Sequence, residues 1–391
     1  MTRAEQVITL CQELIQRPSL SGQEQEVANF VKQTMLEKGF DTVTIDTYGS
    51  VLGTIEGNRK GKSILLDGHI DTVDISDLSQ WTHAPYGAEI SDGKIYGRGT
   101  SDMKGSVAAM ILGAAFFAED TKKDFAGTVY VSCTVHEECF EGISAREISK
   151  VANPDFVVIG EATTTTLKIG QRGRAEIVVE TEGKTCHSSN PEKGINAVYH
   201  MIDLIQEIKK IEPPTHPVLG KGILELTDIL SSPYPGASVV PGMCRVTFDR
   251  RTVVGETSES VLQPIKEAIE KVKLTIPSLK ARAYIAEGSQ PCWTGETISA
   301  KRFFPAWMMD SEEPLVQKAL LGLKEAGIEA PLSHFSFCTN GSHFCGEKGI
   351  PTIGFGPSRE DLAHVIDEYI EIEQLTKACK GFEGIIAQVL A

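Results

Sequence analysis

The stretch ILLDGHID, residues Ile64 to Asp71, ends an apolar run in acidic and imidazole side chains separated by a single glycine. Ile64, Leu65 and Leu66 read as a buried strand. Alternate side chains on a strand share a face, so Asp67, His69 and Asp71 are expected on one side. That is a geometry suited to a metal. A ligating imidazole usually gives its second N–H to a carboxylate, which fixes the tautomer, and Asp71 stands two residues from His69 to be that partner.

The same plan recurs outward from this stretch. TVYVSCTV, residues 128–135, reads as a strand and runs into His136, Glu137 and Glu138. Adjacent side chains on a strand diverge, so both glutamates can serve one site only if the strand has already broken. Phe156 to Ile159 is a third strand and ends in Gly160 and Glu161. Open α/β sheets bind ligands at the carboxyl ends of their strands, so this recurrence points to one site. Between the first two strands, KIYGRGTSDMKGSVAAMILGAAFF, residues 94–117, leads through glycines to a small-residue helix with Asp102 at its start. Gly97 and Gly99 match half of a dinucleotide fingerprint, but Asp102 takes the third glycine position. A buried carboxylate there would repel a pyrophosphate, which argues against a nucleotide-binding oxidoreductase.

Upstream, Ala4, Val7, Ile8, Cys11, Leu14 and Ile15 recur at helical spacing until Arg17-Pro18. A second helix is predicted after Ser21 and Glu24, which have capping-box spacing. Downstream from about Gly173 the pattern becomes strand, helix, strand, strand, helix, strand, the ferredoxin-like order. The expected fold is therefore α/β: a mixed-sheet α/β/α domain of residues 1–172 and 293–391, with an inserted ferredoxin-like α+β lid or dimerisation domain, 173–292. A chain of 391 residues exceeds what one core usually supports.

Thirty-eight basic residues against 53 acidic give a net charge of -15 with no basic run, which argues against nucleic acid or anionic membrane as partner. No segment is long and apolar enough to span a bilayer, and the first residues do not read as a signal peptide. Nine scattered cysteines without a CxxC pair predict reduced thiols and a cytoplasmic protein.

The strand ends and the late His364 assemble a mixed nitrogen and oxygen donor set: His69, Asp102, Glu137, Glu138, Glu161 and His364. That set suits zinc, and also cobalt or manganese. Two histidines with several carboxylates fit two ions that share one carboxylate, and such a pair can hold a hydroxide while polarising a carbonyl.

DGHIDTV, GRGTSDMKG, HEECFEG, IGEAT and a late histidine before DEY together resemble the zinc-dependent family of acetylornithine deacetylase, succinyl-diaminopimelate desuccinylase, aminoacylase and glutamate carboxypeptidases. TNGS with GIPTIGFGP resembles a branch of hydrolases linked to selenium metabolism. The resemblance covers essentially the whole chain. It implies that His69 and Glu161 bind one of two zinc ions, Glu138 and His364 the other, and that Asp102 bridges them. Asp71 would then orient His69, Glu137 would be the general base, and the Asp102-Met103 peptide would be cis. His187 in GKTCHSSNP matches a lid histidine that helps the oxyanion across a dimer interface, which implies a homodimer formed through the lid. Arg251 in FDRRT matches an arginine that grips a substrate carboxylate, with Arg250 expected to be a solvated strand residue. Asn340 stands where an aspartate is more usual and is assigned to substrate binding, although Ser238 before VVP also departs from the family pattern. The implied reaction is hydrolysis of a small carboxylate-bearing amide, an N-acyl amino acid or short peptide. Alternatives are a dipeptidase or carboxypeptidase rather than a deacylase, and a binding protein with a vestigial site.

Overall fold

A computed structural model describes residues 1–391. The chain forms two compact units, one of Met1–Gln171, Ser289–Ser299 and Trp307–Ala391, the other of Arg172–Gly288 and Ala300–Ala306. The single return expected after Cys292 is corrected: residues 300–306 go back to the second unit, where Phe303 and Phe304 pair with Ala175 and Arg174.

The first unit is built on a nine-stranded mixed sheet. Its order is Thr42–Ile45, Val51–Glu56, Ala126–Thr134, Arg59–His69, Phe156–Ile159, Thr352–Gly354, Leu167–Gln171 and Trp307–Met308, with Leu332–Phe335 beside Leu167–Gln171. The centre is parallel: Arg59–His69 lies between Ala126–Thr134 and Phe156–Ile159, and Thr352–Gly354 continues the same direction. Parallel strands covered on both faces read as unbroken apolar runs, and Ile64–Leu66, Val157 and Val158 are fully buried. Helix Gly105–Thr121 is buried from Gly105 through Ala118, all the way round. It therefore sits inside a layer, against helices Arg3–Ile15 and Ile372–Val389.

Helix Arg3–Ile15 starts from a capping box between Thr2 and Glu5 and buries Val7, Leu10, Cys11, Leu14 and Ile15. The second helix, Gln25–Glu37, lacks the expected cap. Ser21 instead donates its hydroxyl to Asp71, and Glu24 turns back to accept the Gly22 N–H. A tertiary partner has taken the Ser21 hydroxyl, because the buried Asp71 carboxylate needs donors more than an exposed helix end does.

In the second unit, strands Ile223–Ser232, Met243–Thr252, Gly173–Glu182 and Lys280–Ile285 lie in that order, all antiparallel. Helices Ala197–Ile208 and Ser258–Thr275 pack on the sheet through Met201, Leu204, Ile265 and Ile269, against Ile177, Val179, Val246 and Phe248. This is the split β-α-β arrangement that the element order predicts. No helix of the structure is long and apolar enough to cross a membrane.

One backbone approach ties the sheet to its carboxyl-end loops. A Cβ on Gly356 would lie 2.3 Å from the Gly160 carbonyl oxygen and 2.4 Å from that of Glu161. Backbone cannot yield as a side chain can, so Gly356→Ala is expected to cost about 1–3 kcal/mol. Denaturant unfolding of the purified variant measures this, and an unchanged midpoint would contradict the close approach.

Candidate metal centre

Parallel pairing brings the strand ends together. His69 lies opposite Thr134, and Asp67 opposite Ile159. The chain after Thr134 breaks at once, with His136 in the left-handed region at φ 57°, so Glu137 and Glu138 need not diverge. Asp102 is delivered by a turn through Gly99, at φ 87°, and the Asp102-Met103 peptide is cis. His364, also left-handed at φ 63°, comes from the loop beyond Thr352–Gly354.

The side chains converge on Asp102. Its Oδ1 lies 3.0 Å from His69 Nε2 and its Oδ2 lies 3.1 Å from His364 Nε2. Each imidazole has a glutamate of its own: Glu161 Oε1 at 3.5 Å from His69, and Glu138 Oε2 at 3.0 Å from His364. Two sets of ligand atoms, from His69, Glu137 and Glu161 and from His69, Asp102 and Glu138, lie within 4.8 Å of one another. Glu137 Oε1 is buried without a hydrogen-bond partner.

The electrostatics of this cluster favour added positive charge. Burial, reinforced by the Asp102 charge, pushes Glu161 up to about 8 and Glu138 up to about 7. Glu137 is raised well above the carboxylate range by burial, with Glu161, Glu141 and Glu138 repelling its charge. His364 rises to about 10 through its bonds to Asp102 and Glu138. Burial would depress His69, yet hydrogen bonds to Asp102 and Asp71 more than offset it and raise the imidazole well above its usual range. Protons thus gather where carboxylates crowd, and divalent cations satisfy the same oxygens and nitrogens with more charge in less space. The donors fit such ions: hard oxygens and imidazole nitrogens, closely spaced, with one buried oxygen unbonded.

Asp71 does more than the sequence reading asked of it. Its carboxylate accepts the backbone N–H groups of Glu137 at 3.1 Å and Glu138 at 3.2 Å, and the Ser21 hydroxyl at 2.7 Å. His69 Nδ1 is nearer the Asp71 carbonyl, 2.9 Å, than its carboxylate, 3.5 Å. Asp67, expected on the metal side, is instead enclosed one step deeper in the sheet, accepting from Ser132 and Asn340. Asn340 is corrected with it. Both its amide hydrogens go inward, to Asp67 and Thr134 at 2.9 Å, and its oxygen accepts the Gly142 N–H at 2.8 Å. A buried carboxylate at Asp67 needs these donors, so Asn340 is a buttress and not a substrate contact.

Within the second unit, His187 is exposed in a turn, its Nδ1 accepting the Ser189 N–H at 3.1 Å. Arg251 is half-buried and forked on Asp249, at 2.8 and 3.3 Å. Arg250 is not the solvated strand residue expected. It is buried and ion-paired with Glu256. The sequence reading missed Arg98, Glu368 and Ser21, whose partners lie far away in the chain; only their places inside GRGTSDMKG, DEY and the first loop hinted at them.

Known proteins resemble this chain over most of its length. The model of peptidase family M20/M25/M40 matches residues 65–388. The uncharacterized protein YgeY of Escherichia coli K12 is 35% identical over 364 residues, covering 91% of this chain and 87% of that one. Succinyl-diaminopimelate desuccinylase 2 of Ruegeria sp. TM1040 is 27% identical over 94% of this chain and 91% of its own. Among solved structures, the aminopeptidase PepT of Bacillus cereus shares the fold with a TM-score of 0.75 at 19% identity, over 99% of both chains. The match reaches into both units, and the chain belongs to peptidase family M20/M25/M40, whose members are hydrolases of amides and peptides.

Proposed function

We propose that this protein is a zinc-dependent, two-ion amidohydrolase acting on a small carboxylate-bearing amide, an N-acyl amino acid or a short peptide. The observation that carries the reading is Asp102, whose two oxygens face two imidazoles, each with its own glutamate, beside the unbonded and buried Glu137. His69 and Glu161 would hold one ion, Glu138 and His364 the other, with Asp102 shared. Zinc, or cobalt or manganese in its place, supplies Lewis acidity toward a substrate carbonyl and lowers the pKa of water.

The chain supplies the rest. Glu137 takes the proton of the attacking water and returns it to the leaving amine; its buried carboxylate oxygen without a hydrogen-bond partner is free to accept that proton. Asp71 fixes the Glu137 and Glu138 backbone through the two N–H groups it accepts. His187 would donate to the oxyanion, and the Arg251 guanidinium would grip the substrate carboxylate with parallel hydrogen bonds. The second unit would serve as lid and as homodimer interface. Its edge strand Ile223–Ser232 leaves Ile229 and Leu230 exposed, with Tyr199 exposed on helix Ala197–Ile208, and an uncovered apolar edge favours pairing with a second copy. Nine free cysteines support a reducing, cytoplasmic setting.

A dipeptidase or carboxypeptidase is the second reading, since the similar proteins include a peptidase as well as a desuccinylase. Zinc-loaded protein offered a panel of N-acyl amino acids and dipeptides separates the two by which amine is released. Two bound ions without turnover on the panel would favour a vestigial site.

Glu137→Gln is expected to lower kcat by about 10²–10⁴-fold while both ions stay bound. Full turnover in that variant would exclude Glu137 as the proton carrier. A second expectation concerns the metal-free protein. Glu138 and Glu161 bind protons more tightly folded than unfolded, so their contribution to stability is present at low pH and is lost as pH rises through about 7 and 8. Asp102 and Asp71, whose pKa values are lowered, act only below the usual carboxylate range. Thermal melts in chelator should therefore fall between pH 5 and pH 8, and saturating zinc should reverse the trend, since metal needs the deprotonated ligands. A chelated protein that gains stability over that interval would refute the assignment.

A further inference from the structure

The Asp102 carboxylate can face two imidazoles only if its backbone is held still, and the groups that hold it come from the segment that carries His364. Glu368, four residues beyond His364, is wholly buried. Its Oε1 accepts the Ser101 N–H at 2.7 Å and the Asp102 N–H at 3.1 Å. Its Oε2 receives Arg98 Nη1 at 2.6 Å, and Arg98 is itself only 2% exposed. The grip is repeated along the backbone. The Gly97 N–H donates to the Glu368 carbonyl at 2.8 Å, and the Ser101 hydroxyl to the Tyr369 carbonyl at 2.6 Å. Asp367 anchors the other side of the segment by accepting the Thr82 N–H at 2.9 Å, the Thr82 hydroxyl at 2.6 Å and the His83 N–H at 3.1 Å.

A buried ion pair is weak as a source of stability, because desolvating two charges offsets most of their attraction. This one also accepts the amide of the residue that faces both histidines. We infer that Glu368, held by Arg98, is a positioning residue that fixes the Asp102 backbone and so ties the two ion positions together; the inference rests on the two-ion reading of the site. The Glu368 carboxylate touches no proposed ligand atom of Asp102, only its N–H. Its effect is therefore on where Asp102 points, and it reaches both ions because Asp102 is shared.

The test is zinc affinity, read by competition with a chromophoric chelator on the full chain. Partners that orient a ligand typically account for 10–100-fold in metal affinity. Glu368→Gln is expected to weaken both zinc ions together by about that factor, whereas His364→Ala should weaken one and leave the other within a few-fold. Because a lone Arg98 charge left buried can unfold the protein, Arg98→Met with Glu368→Leu removes both charges at once and should show the same paired loss in a folded chain. Wild-type affinity for both ions in either folded variant, or a loss confined to one ion, would overturn the inference. Failure of the wild-type chain to take up two ions would overturn the reading of the site itself.

Discussion

Negative charge confined where water is scarce is the constraint on which this structure depends. Asp102, Glu137, Glu138 and Glu161 meet at the carboxyl end of a parallel sheet, with two imidazoles among them. Such a cluster holds together only if something positive joins it or if the backbone forces it. Both conditions leave marks here. Proton affinities of the glutamates are displaced upward, and the strands that lead into the cluster are pinned by their neighbours over several residues.

The layer behind the cluster follows from the same constraint. Asp71, Asp67 and Glu368 are carboxylates with no exposed surface, and each is supplied with donors from a different part of the chain. Asp71 draws on Ser21 and on the backbone of the two glutamates. Asp67 draws on Ser132 and Asn340, and Glu368 on Arg98 and two amides. The directions of the clustered side chains are set by these contacts, since an unsupported carboxylate on a loop would turn toward water.

The two units differ in the kind of sheet they contain. Parallel strands with loops at one end gather side chains from distant stretches onto one spot. The second unit is antiparallel, with helices on its sheet and a long exposed edge strand, and it carries His187 and Arg251 on its own framework.

Much of this was legible in the sequence. Buried parallel strands must be continuous apolar runs, so Ile64–Leu66 and Phe156–Ile159 announced the sheet, and the polar residues that end them announced the cluster. The strand and helix order likewise announced the split β-α-β unit. What tertiary structure alone decided was the partner of each polar group. Asn340 and Arg250 read as substrate-facing or solvated but turned inward, Ser21 left its helix cap for Asp71, and residues 300–306 crossed back to a sheet they had already left. Periodicity reports which face of an element is apolar. Which buried carboxylate most needs a donor is set by distances across the fold, between residues as far apart in sequence as Arg98 and Glu368, and no local pattern records them.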